Sequence, residues 1–119
     1  MKNRILIIDD DPQMRKMLES RLGKNGYLVE VASDGLEGLE KWRTFKPDLI
    51  ILDVCMPKMD GFSFVQESKS NKDIESVPII VLTSREEMVD IFASEGVSGY
   101  LIKPYNEQEM LEKIESCLS

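Results

Sequence analysis

Three short runs of consecutive apolar residues constrain the fold of this 119-residue chain more than any other feature. The runs are rich in β-branched side chains and extend from Ile5 to Ile8, from Leu49 to Leu52 and from Ile79 to Leu82. A strand without polar alternation is typically buried on both faces, as in a parallel sheet with helices on either side. The chain is therefore predicted to fold around a buried parallel sheet.

Two weaker apolar runs complete a set of five predicted strands. The predicted strands are Arg4 to Ile8, Leu28 to Ala32, Asp48 to Leu52, Pro78 to Thr83 and Gly99 to Ile102. The run at Leu28 alternates between apolar and polar residues, which favours an edge strand with one solvated face.

Amphipathic segments follow the strands, and most of them carry signals for the start of a helix. Four segments begin with a capping pattern: Asp11-Pro12, Asp34 with Glu37, Ser84 with Glu87, and Asn106 with Glu109. A further helix, the third in the chain, is predicted to start near Gly61. On the second helix, Leu36, Leu39 and Phe45 are predicted to face the core.

The regular alternation of strands and helices predicts an α/β fold of the (βα)₅ type. Right-handed crossovers then produce a doubly wound, parallel five-stranded sheet. The flavodoxin-like strand order 2-1-3-4-5 is one common solution for five strands. The sequence has no linker, repeat or low-complexity tract, so residues 1–119 are predicted to form one domain.

Charge and the absence of histidine exclude several classes of function. The net charge is −7, whereas sequence-independent binding to nucleic acid needs basic side chains, so no direct contact with nucleic acid is expected. The chain has no histidine, which excludes Ser-His and Cys-His catalysis and a phosphohistidine intermediate. Any metal ion must therefore be bound by oxygen atoms, which favours Mg²⁺, Ca²⁺ or Mn²⁺.

The sequence also indicates the cellular compartment. No apolar run approaches the roughly 18 residues that a membrane span requires. The first residues run directly into a short strand and then into Asp9, which is too short and too acidic a pattern for a secretory signal. A cytoplasmic protein without membrane contact is therefore expected.

Polar side chains follow four of the five predicted strands. The four strand ends carry Asp9-Asp10-Asp11, Asp53, Thr83-Ser84 and Lys103-Pro104. In a parallel sheet these ends meet at one edge, which is where open α/β sheets bind ligands. In the order 2-1-3-4-5, Asp53 is central, Thr83 is about 5 Å away and Lys103 is about 10 Å away. Clustered carboxylates repel one another, and Mg²⁺ would relieve that repulsion.

Five short motifs, in their order and spacing, resemble the response-regulator receiver domain. The motifs are Ile8-Asp9-Asp10-Asp11, Leu52-Asp53, Met56-Pro57 with Asp60-Gly61, Leu82-Thr83-Ser84, and Lys103-Pro104. The resemblance covers essentially the whole chain, and stand-alone receivers of the chemotaxis and sporulation type are the closest in length. It implies a phosphorylation-dependent switch of a two-component phosphorelay. Such a domain is no enzyme beyond catalysing its own phosphorylation and dephosphorylation.

The resemblance implies a metal-assisted acceptor site. Asp53 matches the phospho-acceptor, which takes its phosphoryl group from a partner's phosphohistidine. Asp10 matches a direct Mg²⁺ ligand, and Asp9 matches the acid that supports the metal, usually through water. Asp53 itself and the backbone carbonyl of Cys55 match the remaining ligands, and Mn²⁺ is a second candidate for the metal.

The resemblance also implies a switch and its partners. Lys103 matches the lysine that pairs with the phosphoryl oxygens. The peptide bond between Lys103 and Pro104 is expected to be cis. Thr83 matches the hydroxyl that binds the attached phosphoryl group, and Tyr100 matches an aromatic switch residue. Tyr100 is expected to bias the surface of the fourth helix, fifth strand and fifth helix. The expected donor is a sensor histidine kinase or phosphotransfer protein, and the recipient is a downstream protein effector or output domain.

Two other functions remain open at this point. A receiver-like binding module that no longer takes phosphate would keep the same fold. A haloacid-dehalogenase-type phosphatase also uses a strand-end aspartate with a second one two positions on, a spacing that Asp9 and Asp11 share. That second alternative leaves Asp53 without a role.

Overall fold

The computed structural model describes residues 3–53, 64, 66–68, 77–84 and 96–118. Its strands are β1 (Arg4–Ile8), β2 (Leu28–Ala32), β3 (Leu49–Asp53), β4 (Ile79–Thr83) and β5 (Gly99–Ile102). Its helices are α1 (Pro12–Lys24), α2 (Gly35–Phe45) and the C-terminal helix (Glu107–Leu118), and residues 64 and 66–68 are also helical. No helix within these ranges is long and apolar enough to cross a membrane.

The five strands form one parallel sheet in the order β2-β1-β3-β4-β5, which confirms the predicted fold class and strand order. Both β3 and β4 begin one residue later than predicted. The carboxylate of Asp48 accepts a hydrogen bond from the Arg4 backbone N–H at 3.0 Å, and Pro78 has no N–H to give to the ladder. At its other end β3 extends to Asp53, which pairs with Leu82.

The helix starts follow the predicted capping residues. The side chain of Asp11 accepts from the Gln13 N–H at 3.0 Å, with Pro12 at the first helical position. Asp34 accepts from the Glu37 N–H at 2.9 Å, and the Asn106 side chain accepts from the Glu109 N–H at 2.7 Å. The predicted helix starts near Gly61 and after Ser84 lie outside the described residues.

Two apolar clusters lie on opposite faces of the sheet. Strands β1, β3 and β4 supply side chains to both clusters, which explains why their sequences show no polar alternation. On one face, Leu6 and Ile50 pack with Trp42 of α2, whose ring lies 5.9 Å from that of Phe64. On the other face, the sheet packs against Leu18 and Leu22 of α1 and Met110 and Ile114 of the C-terminal helix.

Helix α2 approaches the sheet through its glycines, so the prediction that Leu36 faces the core is wrong. Leu36 is 61% exposed, whereas Leu39 and Phe45 pack against the core as predicted. The buried residues of α2 are Gly35, Gly38 and Trp42. A Cβ atom on Gly38 would lie 2.6 Å from Cδ1 of Ile8. The short distance between α2 and β1 therefore depends on a residue without a side chain.

Candidate functional site

The carboxyl ends of the strands bring the predicted site residues to one edge of the sheet. Asp9 follows β1, Asp53 ends β3 and Thr83 ends β4, while Lys103 follows β5. The Lys103 backbone N–H donates to the Thr83 carbonyl at 2.8 Å, so β4 and β5 stay paired up to this edge. The Lys103-Pro104 bond is cis, as expected. Of these four side chains, those of Asp9, Asp53 and Thr83 are buried.

Lys103 and Asp53 form an ion pair at the centre of this edge. The Nζ atom of Lys103 lies 2.6 Å from Oδ2 of Asp53, although β4 separates their two strands. Asp53 is only 5% exposed, whereas the lysine is half-buried. The side chain of Lys103 therefore spans two strand spacings, which is the separation of about 10 Å that the strand order predicted.

Asp9 is the most buried carboxylate of the site, with 1% of its surface exposed. Its Oδ1 accepts from the Asp11 backbone N–H at 2.9 Å, and its Oδ2 is buried without a hydrogen-bond partner among the described residues. Burial raises the pKa of Asp9 to about 6. The hydrogen bond from the Asp11 N–H opposes this rise in pKa, and the nearby negative charge of Asp53 adds to it. Among the described residues, no donor therefore pairs with Oδ2 when Asp9 is ionised.

The donor chemistry of the site fits a magnesium ion. Within the described ranges, no three acidic side chains converge on one point as a complete metal site. Mg²⁺, however, usually takes one or two carboxylates and keeps several waters. The orphaned Oδ2 of Asp9 is a suitable acceptor, Asp10 is exposed beside it, and the expected Cys55 carbonyl lies outside the described residues. We conclude that the residues present are compatible with Mg²⁺.

Arg15 is a site residue that the sequence analysis missed. It lies in the first turn of α1, and its Nη1 atom donates to the Asp9 carbonyl at 2.7 Å. This contact fixes the backbone between β1 and α1, where Asp9 and Asp10 lie. The available signal was an arginine one turn after the Asp11 cap, which places its side chain back over the loop.

Tyr105 is the second residue that the sequence analysis missed. Its ring packs with the cluster between α1 and the C-terminal helix, and its hydroxyl is buried with no hydrogen-bond partner in the described part of the chain. Burial raises the pKa of Tyr105; the charge of Lys103 opposes this rise, and those of Asp53 and Asp9 add to it. The only sequence signal was an aromatic residue directly after Lys103-Pro104.

The two predicted switch residues differ in exposure. Thr83 is buried beside Asp53, whereas Tyr100 on β5 is 44% exposed. Tyr100 borders a groove of about 520 Å³ between β5 and the C-terminal helix. The Nζ atom of Lys113, on that helix, lies 6.0 Å from the centroid of the Tyr100 ring. The aromatic side chain thus lies where the sheet edge meets the helix surface.

Asp11 caps helix α1 and is exposed to solvent. In the phosphatase alternative, Asp11 would serve as the second catalytic aspartate. The carboxylate instead accepts a hydrogen bond from the Gln13 N–H at the start of the helix. The geometry therefore gives the phosphatase alternative no support.

Comparison with known proteins places these features in one family. Residues 5–115 match the family described as Response regulator receiver domain. The probable transcriptional regulator ycf27 of Guillardia theta is 41% identical over 119 residues, which cover 98% of this chain and 46% of that protein. The present chain therefore spans about half the length of this curated relative.

Two solved structures have similar folds along their whole length. The chemotaxis protein CheY4 of Vibrio cholerae has a TM-score of 0.90 and 34% identity, with 99% of this chain and 100% of that chain covered. The response regulator TrrA of Thermotoga maritima, in complex with Mg²⁺ and BeF, has a TM-score of 0.86 and 33% identity, with 98% and 99% covered.

The structural similarities agree with the five-stranded parallel sheet and its strand order. The fold alone would be shared with proteins of unrelated activity. The family match extends over the strands and loops that carry Asp9, Asp53, Thr83 and Lys103. The chain is thus a receiver domain of two-component signalling and belongs to the response regulator receiver family.

Proposed function

We propose that this chain is a phosphorylation-dependent switch in which Asp53 accepts a phosphoryl group. The donor is the phosphohistidine of a sensor histidine kinase or of a phosphotransfer protein in the cytoplasm. The observation that carries this proposal is the 2.6 Å contact between Lys103 Nζ and Asp53 Oδ2 at the ligand-binding edge of the sheet. The chain turns over no other substrate, and its chemistry is limited to forming and losing its own aspartyl phosphate.

The transfer requires positioning and charge neutralisation more than covalent assistance, because phosphoryl transfer has a loose transition state. A carboxylate oxygen of Asp53 bonds to phosphorus while the P–N bond of the donor breaks, and the imidazole nitrogen keeps the electron pair. Lys103 already lies at the carboxylate and neutralises charge on the transferred oxygens. The same lysine then pairs with a phosphoryl oxygen in the product.

The residues that would hold Mg²⁺ are Asp9, Asp10, Asp53 and the backbone carbonyl of Cys55, with Mn²⁺ as a second candidate. When bound, the ion supplies positive charge that offsets the carboxylates and the phosphoryl oxygens. The buried, unpartnered Oδ2 of Asp9 supports this assignment, as does the presence of Mg²⁺ and BeF in the TrrA structure. Arg15 holds the Asp9 carbonyl and so orients the acidic loop.

Thr83 and Tyr100 couple the acceptor to the surface in this proposal. Thr83 is buried beside Asp53 at the end of the neighbouring strand, where its hydroxyl can donate to a phosphoryl oxygen. Movement of Thr83 leaves space that Tyr100 fills, and Tyr100 borders the groove against the C-terminal helix. Phosphorylation therefore biases the surface of the helix predicted to follow Ser84, β5 and the C-terminal helix between two arrangements.

The signal passes to a downstream protein effector or output domain through that surface. The net charge of −7 disfavours direct contact of this domain with nucleic acid. Relatives such as the ycf27 regulator are about twice as long as this chain. The proposal therefore includes no activity of the parts of those proteins that this chain does not match.

The test is the intact mass of the protein after incubation with acetyl phosphate. We expect one added phosphoryl group that requires Mg²⁺ and is absent from Asp53→Asn. Asp48→Asn is the matched control, because Asp48 lies just before the opposite end of the same strand and contacts Arg4 rather than Lys103. This variant is expected to take up phosphate normally.

Two results would contradict the proposal. An adduct that persists in Asp53→Asn would place the acceptor elsewhere. Absence of an adduct in the wild type, together with no release of inorganic phosphate over time, would indicate a phosphate-independent binding module. Release of phosphate without an adduct, abolished in Asp53→Asn, would instead indicate a short-lived aspartyl phosphate and would support the proposal.

A further inference from the structure

Two buried side-chain polar atoms lack a hydrogen-bond partner within the described part of the chain, and both belong to residues around the acceptor site. One is Oδ2 of Asp9, and the other is the hydroxyl oxygen of Tyr105. Buried polar groups are normally paired, so an unpaired group calls for a specific explanation. The expected metal accounts for Asp9, but it does not account for a hydroxyl donor.

Tyr105 lies two residues after Lys103, whose Nζ atom contacts the acceptor. Its ring is anchored in the apolar cluster that α1 and the C-terminal helix form with the sheet. Burial has the largest effect on the pKa of Tyr105. The charges with the next largest effects are those of Lys103, Asp53 and Asp9. The hydroxyl is therefore carried on an anchored ring two residues after the lysine that contacts the acceptor.

We propose that Tyr105 is a phosphoryl-binding residue of the acceptor site. Its hydroxyl donates a hydrogen bond to a phosphoryl oxygen, directly or through one water, only when Asp53 is phosphorylated. This inference rests on the proposed function, because it requires the aspartyl phosphate. A phosphoryl group brings three strong acceptor oxygens to a site where this donor has no partner among the described residues. A group that is unpaired in one state and paired in the other shifts the equilibrium towards the paired state.

Removing the hydroxyl therefore has opposite effects on the two states. Tyr105→Phe keeps the ring and deletes one oxygen atom. In the unphosphorylated protein it removes a buried polar group that has no partner in the described part of the chain, so the unfolding midpoint is expected to stay unchanged or to rise. In the loaded state it removes one hydrogen bond, so affinity for beryllium fluoride with Mg²⁺ is expected to fall by about fivefold to tenfold.

Tyr27→Phe is the matched control. Tyr27 packs against the same apolar cluster, but the charge that acts on it is that of Glu115 and not of the acceptor site. The experiment titrates wild type and both variants with beryllium fluoride in saturating Mg²⁺, and separately with Mg²⁺ alone. Tyr105→Phe is expected to weaken only the beryllium fluoride titration, a separation that a general packing defect would not produce.

Each remaining outcome rejects a distinct part of the argument. Equal beryllium fluoride affinity in wild type and Tyr105→Phe would overturn the role of Tyr105 while leaving the proposed function intact. A lower unfolding midpoint for unloaded Tyr105→Phe would also overturn it, because the hydroxyl would then have a partner before phosphorylation. No beryllium fluoride binding by the wild type would reject the proposed function, and the role of Tyr105 with it.

Discussion

Lys103 and Asp53 are 50 positions apart in the sequence, and their Nζ and Oδ2 atoms lie 2.6 Å apart. The pair depends on the parallel order of β3, β4 and β5, which places both strand ends at the same edge. Because Asp53 is buried and Lys103 is half-buried, solvent screens this pair less than it screens surface pairs. The pair provides a positive charge at the acceptor before any phosphoryl donor binds.

The first prediction concerns the charge of Lys103. Lys103→Met keeps a long side chain and removes the ammonium group that neutralises the transferred oxygens. Phosphorylation of Asp53 by acetyl phosphate is expected to slow by about 100-fold, the usual effect of removing one preorganised electrostatic contact. Lys24→Met, at the exposed end of α1, is the control and should phosphorylate at the wild-type rate. The mass-resolved rate constant measures the effect, and a change below threefold would contradict this role.

The second prediction concerns pH and the metal-free protein. Burial raises the pKa of Asp9 from 3.8 to about 6, so the native state binds this proton more tightly than the unfolded state does. The contribution of Asp9 to stability is therefore full below pH 3.8, is lost as the pH rises to about 6, and changes no further above that. The loss is on the order of 3 kcal/mol, at about 1.4 kcal/mol for each pKa unit.

Asp9→Asn isolates this contribution from those of the other carboxylates. With a chelator present, the free energy of unfolding of the variant is expected to exceed that of the wild type increasingly between pH 4 and pH 6, the interval of the Asp9 shift. Urea denaturation at a series of pH values measures the difference. A difference that is constant across this interval would show that Asp9 does not titrate there.

The third prediction concerns the close approach of α2 to β1. In Gly38→Ala the new Cβ would lie 2.6 Å from Ile8 Cδ1 and 3.2 Å from Phe64 Cε1. We expect a loss of about 1–3 kcal/mol in the free energy of unfolding, because overpacking outweighs the better helix propensity of alanine. The control is Gly23→Ala in α1, where no described atom beyond the neighbouring residues and the helix's own backbone lies within 4 Å of the new Cβ.

Gly23→Ala is expected to stabilise the protein by about 0.5–1 kcal/mol, because alanine has the higher helix propensity and meets no clash. Denaturant unfolding of both variants measures the contrast. Equal effects of the two substitutions would mean that the α2–β1 contact relaxes readily and that the small size of residue 38 is not needed.

The fourth prediction concerns the coupling from Thr83 to the surface. Thr83→Val preserves the buried volume and removes the hydroxyl that is proposed to bind the phosphoryl group. Asp53 should still become phosphorylated, but amide chemical-shift changes in Glu107–Leu118 on addition of beryllium fluoride and Mg²⁺ should be much smaller than in the wild type. Thr44→Val, which removes an exposed threonine hydroxyl on α2, is the control. Wild-type shift changes in Thr83→Val would show that the signal travels by another route.

Much of the fold could be predicted from local patterns. The apolar runs of β1, β3 and β4 have no polar alternation because both of their faces are covered, so a buried parallel sheet follows from the sequence. Capping residues such as Asp34 act on backbone groups two or three positions away, and the three helices whose starts the structure describes begin where these residues predict. The motif order likewise named Asp53, Thr83 and Lys103 as strand-end candidates, and the structure places them together.

The sequence was less informative where packing depends on distant residues. Leu36 fits a helical apolar stripe, yet α2 packs through Gly38, where a Cβ atom would lie only 2.6 Å from Cδ1 of Ile8. Periodicity counts apolar residues and therefore cannot recognise a helix face whose contact with the sheet depends on small size. Strand β3 runs from Leu49 to Asp53 instead of the predicted Asp48 to Leu52. The origin is similar, because partners on neighbouring strands decide where the ladder begins and ends.

The sequence by itself determined the strand-and-helix alternation, the helix starts and the chemical types of the strand-end groups, because each depends on residues within a few positions. Only the tertiary structure decided that Lys103 reaches Asp53, that Arg15 holds the Asp9 carbonyl, and that the Tyr105 hydroxyl is buried. Burial and hydrogen bonding of a polar atom depend on all the elements packed around it, and those elements come from distant parts of the chain.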